Sequence, residues 1–247
     1  MRWNIDINCD LGEGLENESQ IMPYISSCNI ACGGHAGDTT SIHRCLKLAK
    51  QHSVKVGVHP SFEDRAHFGR RMLEISESRF RESVTQQIHL FLQEVNVLEM
   101  DFHHIKMHGA LYHATANQTH YANWLVRLMK DQFHDIPLYL PPGSLLEQLC
   151  LNEGIAYFKE GFADRAYQGA RSLVSRGENG AVLSDAQAVI NQISSMVIDQ
   201  QVQLHSGNKI DLEVDTICLH GDHLETVNQL PYIMEELQKR DIYLDKA

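Results

Sequence analysis

The chain has 247 residues, with 21 Lys+Arg against 32 Asp+Glu for a formal net charge of −11, and it carries 6 Cys and 15 His. That acidic balance excludes a protein that tracks a nucleic-acid backbone or an anionic membrane, and no apolar run approaches the ~18 residues of a spanning helix. The length suits one domain, residues 1–247, large enough to bury a core without disulfide staples.

The first strand signal is Trp3–Asn8, followed by the acidic turn Asp10-Leu11-Gly12-Glu13-Gly14. Strand Cys28–Cys32 leads into His35-Ala36-Gly37-Asp38, and Ile42, Cys45, Leu46 and Ala49 then share a helical face. Strand Lys55–His59 precedes a long helix marked by Phe80, Val84, Ile88, Phe91, Leu92 and Val95. Strand His104–His108 precedes a helix with Tyr121, Trp124, Leu125, Leu128 and Met129 on one side. After strand Pro137–Leu140, Ser144 and Glu147 form a capping box and Gly154 is a stop. Strand Ala156–Glu160 is followed by a helix capped by Asp185, with Ala186, Val189, Ile190, Ile193 and Val197 aligned. Val202–His205 and Lys209–Val214 flank Ser206-Gly207-Asn208 as a hairpin. Strand Thr216–His220 closes the series, and Pro231 should delay or kink the helix near Leu224 to Leu237.

Strand–helix alternation along the whole chain predicts an α/β fold with a parallel sheet. Seven strands at this length indicate a TIM-like (β/α) barrel, distorted by a missing strand, with an open doubly wound sheet as the alternative. A dinucleotide site is disfavoured, because the first turn lacks the third glycine of GxGxxG. Cys28 and Cys32 lie near His35, but no second ligand pair supports a structural zinc site. The scattered cysteines read as free thiols, and the N-terminus has no apolar signal segment, so a cytoplasmic protein is expected.

Alternate residues of a strand share a face. Asp6, Asn8 and Asp10 therefore oppose Ile5, Ile7 and Cys9; Lys55, Gly57 and His59 oppose Val56 and Val58. His104, Lys106 and His108 oppose Ile105 and Met107, and Thr216, Cys218 and His220 oppose Ile217 and Leu219. Barrel interiors normally hold branched aliphatics, so a polar inner face needs partners or a function. Any one of these histidines alone would be an ordinary core or surface residue; charged or imidazole groups at four strand ends in one phase point to a site. A carboxylate with two imidazoles could bind a divalent metal and activate water. Alternatively Asp10 acts as general base while Lys106 or His108 stabilises an oxyanion. No GxSxG nucleophile elbow and no GxxxxGK[ST] phosphate loop is present.

Seven stretches resemble the LamB/YcsF family of ATP-dependent 5-oxoprolinase A subunits. They are Asp6-Ile7-Asn8-Cys9-Asp10-Leu11-Gly12-Glu13, Asn29-Ile30-Ala31-Cys32-Gly33-Gly34-His35-Ala36-Gly37-Asp38, Gly57-Val58-His59-Pro60, Phe68-Gly69-Arg70-Arg71, Lys106-Met107-His108-Gly109-Ala110-Leu111-Tyr112, Phe162-Ala163-Asp164-Arg165-Ala166-Tyr167 and Cys218-Leu219-His220-Gly221-Asp222. The chain departs from the family at Met107 and Ser175, where proline is usual, and in a short loop after Glu13. The resemblance implies a seven-stranded barrel that cleaves 5-oxo-L-proline to L-glutamate, with ATP as co-substrate and the B and C subunits as partners. On that footing the catalytic candidates are Asp6, Asp10, His35, His59, Lys106, His108 and His220, and the substrate-binding candidates are Asn8, Asn29, Arg70, Arg165 and Tyr112. Asp10 would activate water, Lys106 and His108 would stabilise charge on oxygen, and Arg70 or Arg165 would clamp the substrate carboxylate. The rival readings are a stand-alone metal-dependent amide or acetyl hydrolase, related in fold to polysaccharide deacetylases, and a non-catalytic scaffold that binds small acids.

Overall fold

The computed structural model describes residues 2–246 apart from 16, 171 and 223. Its strands are β1 (Trp3–Leu11), β2 (Ser27–Ala31), β3 (Lys55–His59), β4 (Phe102–Lys106), β5 (Leu138–Leu140), β6 (Tyr157–Phe162), β7 (Tyr167–Gly169), β8 (Ser172–Leu173), β9 (Gln201–Gln203), β10 (Lys209–Asp211), β11 (Thr216–Cys218) and β12 (Ile242–Leu244). β1 to β6 pair in sequence, all parallel, and β11 pairs with both β6 and β1. That last pairing closes a seven-stranded barrel and rules out the open sheet. β12 lies outside the ring, parallel to the start of β1 through Trp3↔Ile242. Among the described residues no helix is long and apolar enough to cross a membrane.

The alternation seen in the sequence has its expected consequence. Ile5, Ile7 and Cys9 are buried in the apolar cluster between barrel and helices. Asp6 and Asn8 are also buried, but among polar partners inside the barrel. Gly57 shows why this interior tolerates a ring. A Cβ there would stand 2.2 Å from His104 Nε2, so only glycine lets the imidazole lie against β3.

Several local features differ from expectation. β4 ends at Lys106, so His108 is the N-terminal cap of the helix Gly109–Asn117. β11 ends at Cys218, which leaves His220 in the following loop. Ser144 accepts from the Glu147 N–H, but Glu147 accepts from Gly143 instead of returning to the cap residue. The helix Ala186–Ser194 runs into a π-turn, Ser195–Asp199. The last helix, Leu224–Lys239, contains Pro231 without starting late. The β7–β8 hairpin and β12 carry no alternation signal, because each strand has two or three residues.

Candidate active site

The polar interior forms a shaft that rises from the closed end of the barrel to its mouth. At the bottom, Asp6 Oδ2 accepts from Ser27 Oγ (2.7 Å) and Thr216 Oγ1 (2.6 Å). Burial pushes the Asp6 carboxyl above its usual range, although these hydrogen bonds oppose the shift. One level higher, Asn29 Nδ2 donates to Asn8 Oδ1 and to Asp10 Oδ1, both at 2.8 Å. Asn29 Oδ1 accepts from His104 Nε2 at 2.6 Å, and Asn8 Nδ2 donates to Thr216 Oγ1 and Glu160 Oε1. At the top, Lys106 Nζ donates to Asp10 Oδ1 at 2.9 Å and meets Glu160 Oε1 at 2.8 Å.

The electrostatics follow from that packing. Burial opposes ionisation of Asp10, but the His59 ring when protonated and the Lys106 ammonium hold its carboxyl well below the usual range. Burial likewise opposes the Lys106 charge, but Asp10, Cys218 and Glu160 raise it well above an ordinary lysine. The pair is therefore a fixed zwitterion at neutral pH. His108 is held neutral chiefly by burial. In His220, burial disfavours the proton, but Asp164, 2.9 Å from Nδ1, wins and raises the pKa.

Above this floor opens a cleft of about 780 Å³, whose lining includes Asp10, His59, Lys106, His108, Tyr112 and His220. Glu13, on the loop after β1, reaches the same mouth: Oε1 is 2.9 Å from His35 Nε2 and 3.5 Å from His108 Nδ1. The ligand atoms of Glu13, His35, His59 and His108 lie within 4.8 Å of one another, as do those of Asp10, Cys218 and His220. Both groups have the donor types that hold divalent transition metals.

The candidates thus divide. Asp10, His59, Lys106, His108, His220, Tyr112, Arg70 and Arg165 line the cleft, and His35 stacks on His108 with ring centroids 3.6 Å apart. Asp6, Asn8 and Asn29 do not line it. Asp6 has the right phase but sits four residues below Asp10, about 13 Å at strand rise, and its Oδ2 is saturated by hydroxyls. Asn8 and Asn29 are fully buried and hold Asp10 and Lys106 in place. Arg165 directs Nη2 to Val174 O and Nε to Ala181 O, so two guanidinium edges organise the β7–β8 lobe. Arg70 is the freer cation: its side chain is about half exposed, 3.6 Å from Asp222, and packs over Phe68. Glu160, Asp164 and Arg176 complete the site and are not singled out by sequence reasoning. Glu160 had a signal, since it ends a strand in inward phase. Arg176, which donates to Asp222 at 2.7 Å, had none.

The LamB/YcsF family model matches residues 5–247. A 5-oxoprolinase A subunit of Staphylococcus carnosus is 38% identical over 247 residues, covering 98% of both chains. The crystal structure of a lactam utilization protein from Thermus thermophilus superposes with a TM-score of 0.90 at 28% identity, over 99% of this chain and 100% of that one. A T48 deacetylase structure, at 11% identity and TM-score 0.51 over 98% of this chain and 87% of that one, shares the barrel fold only. With its full-length match and the family's strand-end residues gathered at one barrel mouth, the chain belongs to the LamB/YcsF family.

Proposed function

We propose that this chain is the A subunit of an ATP-hydrolysing 5-oxoprolinase, working in the cytoplasm as one catalytic domain with B and C subunits. The carrying observation is near-complete alignment, end to end in both partners, with proteins named as the A subunit of 5-oxoprolinase. Six buried free thiols suit a reducing compartment.

The substrate is a γ-lactam, whose carbonyl carbon is protected by amide resonance. Transfer of a phosphoryl group to the lactam oxygen, with ADP leaving, makes that carbon a far better electrophile. Water then adds, the ring nitrogen takes a proton and the C–N bond opens. A second water releases phosphate, so opening the lactam and hydrolysing ATP each use one water. In this reading the Lys106 ammonium faces the oxygen on which charge develops, in a buried setting where such a contact is strongest. Asp10 is too acidic to be a strong base. It accepts a hydrogen bond from the attacking water and orients it, and the proton that this water sheds is the one the ring nitrogen takes as it leaves. Arg70 clamps the substrate carboxylate, because Arg165 is already bonded to its own lobe.

The test is glutamate and phosphate release by the reconstituted three-subunit complex carrying Asp10→Asn. Full turnover by a correctly folded variant removes Asp10 from the chemistry. Lactam hydrolysis by the chain alone without ATP would favour a stand-alone metal-dependent hydrolase. Turnover by B and C alone, unaffected by this chain, would leave it a scaffold.

A further inference from the structure

We propose that His59 Nε2, His108 Nδ1 and Glu13 Oε1 form a divalent transition-metal site in the cleft floor, with His35 orienting Glu13. The inference comes from where protons must sit, and it stands whether or not the lactam reading holds. A backbone carbonyl only accepts hydrogen bonds. His59 Nδ1, 2.9 Å from Lys106 O, must therefore carry a hydrogen, and so must His108 Nε2, 3.0 Å from Phe68 O. A neutral imidazole has one N–H. The remaining nitrogens, His59 Nε2 and His108 Nδ1, are then bare lone pairs, yet they face each other at 3.0 Å. Two more acceptors crowd the same point: Asp10 Oδ2 is 3.3 Å from His59 Nε2, and Glu13 Oε1 is 3.5 Å from His108 Nδ1. With both rings neutral, four lone-pair donors converge here, and only a cation, either an added proton or a metal ion, can join them.

The dimensions favour a metal over an extra proton. The three atoms His59 Nε2, His108 Nδ1 and Glu13 Oε1 form a triangle with sides of 3.0, 3.5 and 4.0 Å. A point equidistant from its corners lies about 2.1 Å from each, the length of a zinc–nitrogen or zinc–carboxylate bond. The two rings meet edge to face at 83°, so their in-plane lone pairs can cross. Their outer N–H groups on backbone carbonyls are the supports that fix tautomer and ring angle in metal-bound histidines. His35 cannot be a third imidazole ligand alongside His108. The two rings are parallel within 4° at 3.6 Å, so no ion can lie in both planes. Its Nε2 instead donates to Glu13 Oε1 at 2.9 Å. Imidazole with carboxylate selects zinc, manganese, iron(II) or cobalt over calcium or magnesium.

The experiment uses the full chain, stripped with a chelator and dialysed metal-free. Cobalt(II) is added stepwise while visible absorption and bound metal are measured, and zinc then competes. One equivalent should bind and zinc should displace it. His108→Gln and Glu13→Gln should each weaken binding by more than about 100-fold, and His35→Gln by about 10- to 100-fold with stoichiometry kept. Circular dichroism checks the fold of each variant. Should a ligand variant fail to fold, the wild type still decides: cobalt must shift two exchange-protected imidazole N–H resonances, those on Lys106 O and Phe68 O. Binding below about a tenth of an equivalent overturns the proposal and leaves a shared proton between the rings. So does stoichiometric metal whose affinity ignores both ligand variants, or cobalt that shifts no imidazole resonance.

Discussion

Replacing Lys106 with Met keeps the volume and removes one charge from the most crowded point of the shaft. The ammonium meets Asp10 Oδ1 at 2.9 Å and Glu160 Oε1 at 2.8 Å. At an effective dielectric of about 20, each contact is worth about 6 kcal/mol of attraction, offset by the several kcal/mol it costs to desolvate the ammonium. Removing one partner of such a buried set leaves its carboxylates uncompensated, and a loss of about 3–5 kcal/mol is expected near neutral pH. In the wild type the Asp10 carboxyl lies well below the usual range, so its stabilisation is present above the unfolded pKa of 3.8 and is lost as pH falls through the folded value. Without Lys106 one of the groups that hold Asp10 down is gone, so its carboxyl moves up toward 3.8 and contributes less stability above that value. The gap between the two proteins therefore opens as pH rises through the acid range. Urea unfolding of both proteins at about pH 3 and about pH 7 should show a larger gap at the higher pH. A gap below about 1 kcal/mol at about pH 7, or one that narrows between the two, refutes the fixed Asp10–Lys106 zwitterion. The same substitution should lower kcat of the assembled enzyme by about 100- to 1000-fold if Lys106 faces developing charge on oxygen.

Gly57→Ala should destabilise by about 2–4 kcal/mol, because His104 must move off β3 and lose its bond to Asn29; a thermal melt within a degree of wild type would contradict it. The His220–Asp164 pair has the opposite pH sign from Asp10. A raised histidine pKa stabilises below the unfolded value of 6.5 and loses that stabilisation as pH rises through the folded value. His220→Gln should therefore cost more stability at about pH 5.5 than at about pH 9, and equal losses in urea titrations at both would disprove the charged pair. Arg70→Ala should raise KM for 5-oxoproline about 10-fold or more with kcat less affected, whereas Arg165→Ala should lower melting temperature first, by freeing the β7–β8 lobe. Unchanged KM in the first variant would move the carboxylate clamp elsewhere.

Strand phase is local chemistry, and it was legible. Asp10, His59 and Lys106 alternate with apolar neighbours at period two, so their meeting inside the barrel needed only the seven strands and their order. Where the cleft floor lies along the barrel axis is not local. Asp6 shares the phase of Asp10 and lies four residues earlier on the same strand, but only the folded barrel shows that this level is closed off, with Ser27, Thr216 and Tyr139 around its carboxylate. Arg165 reads as an anion clamp in isolation; only the folded lobe shows Val174 and Ala181 carbonyls already taking its hydrogens. The pairing of Arg176 with Asp222, the addition of β12 beside β1 and the stacking of His35 on His108 join segments that no periodicity links. Residue type and alternation thus determined which groups enter the barrel. Which nitrogen of His59 and of His108 meets a backbone carbonyl was decided only by tertiary structure, because those carbonyls, of Lys106 and Phe68, come from other segments of the chain.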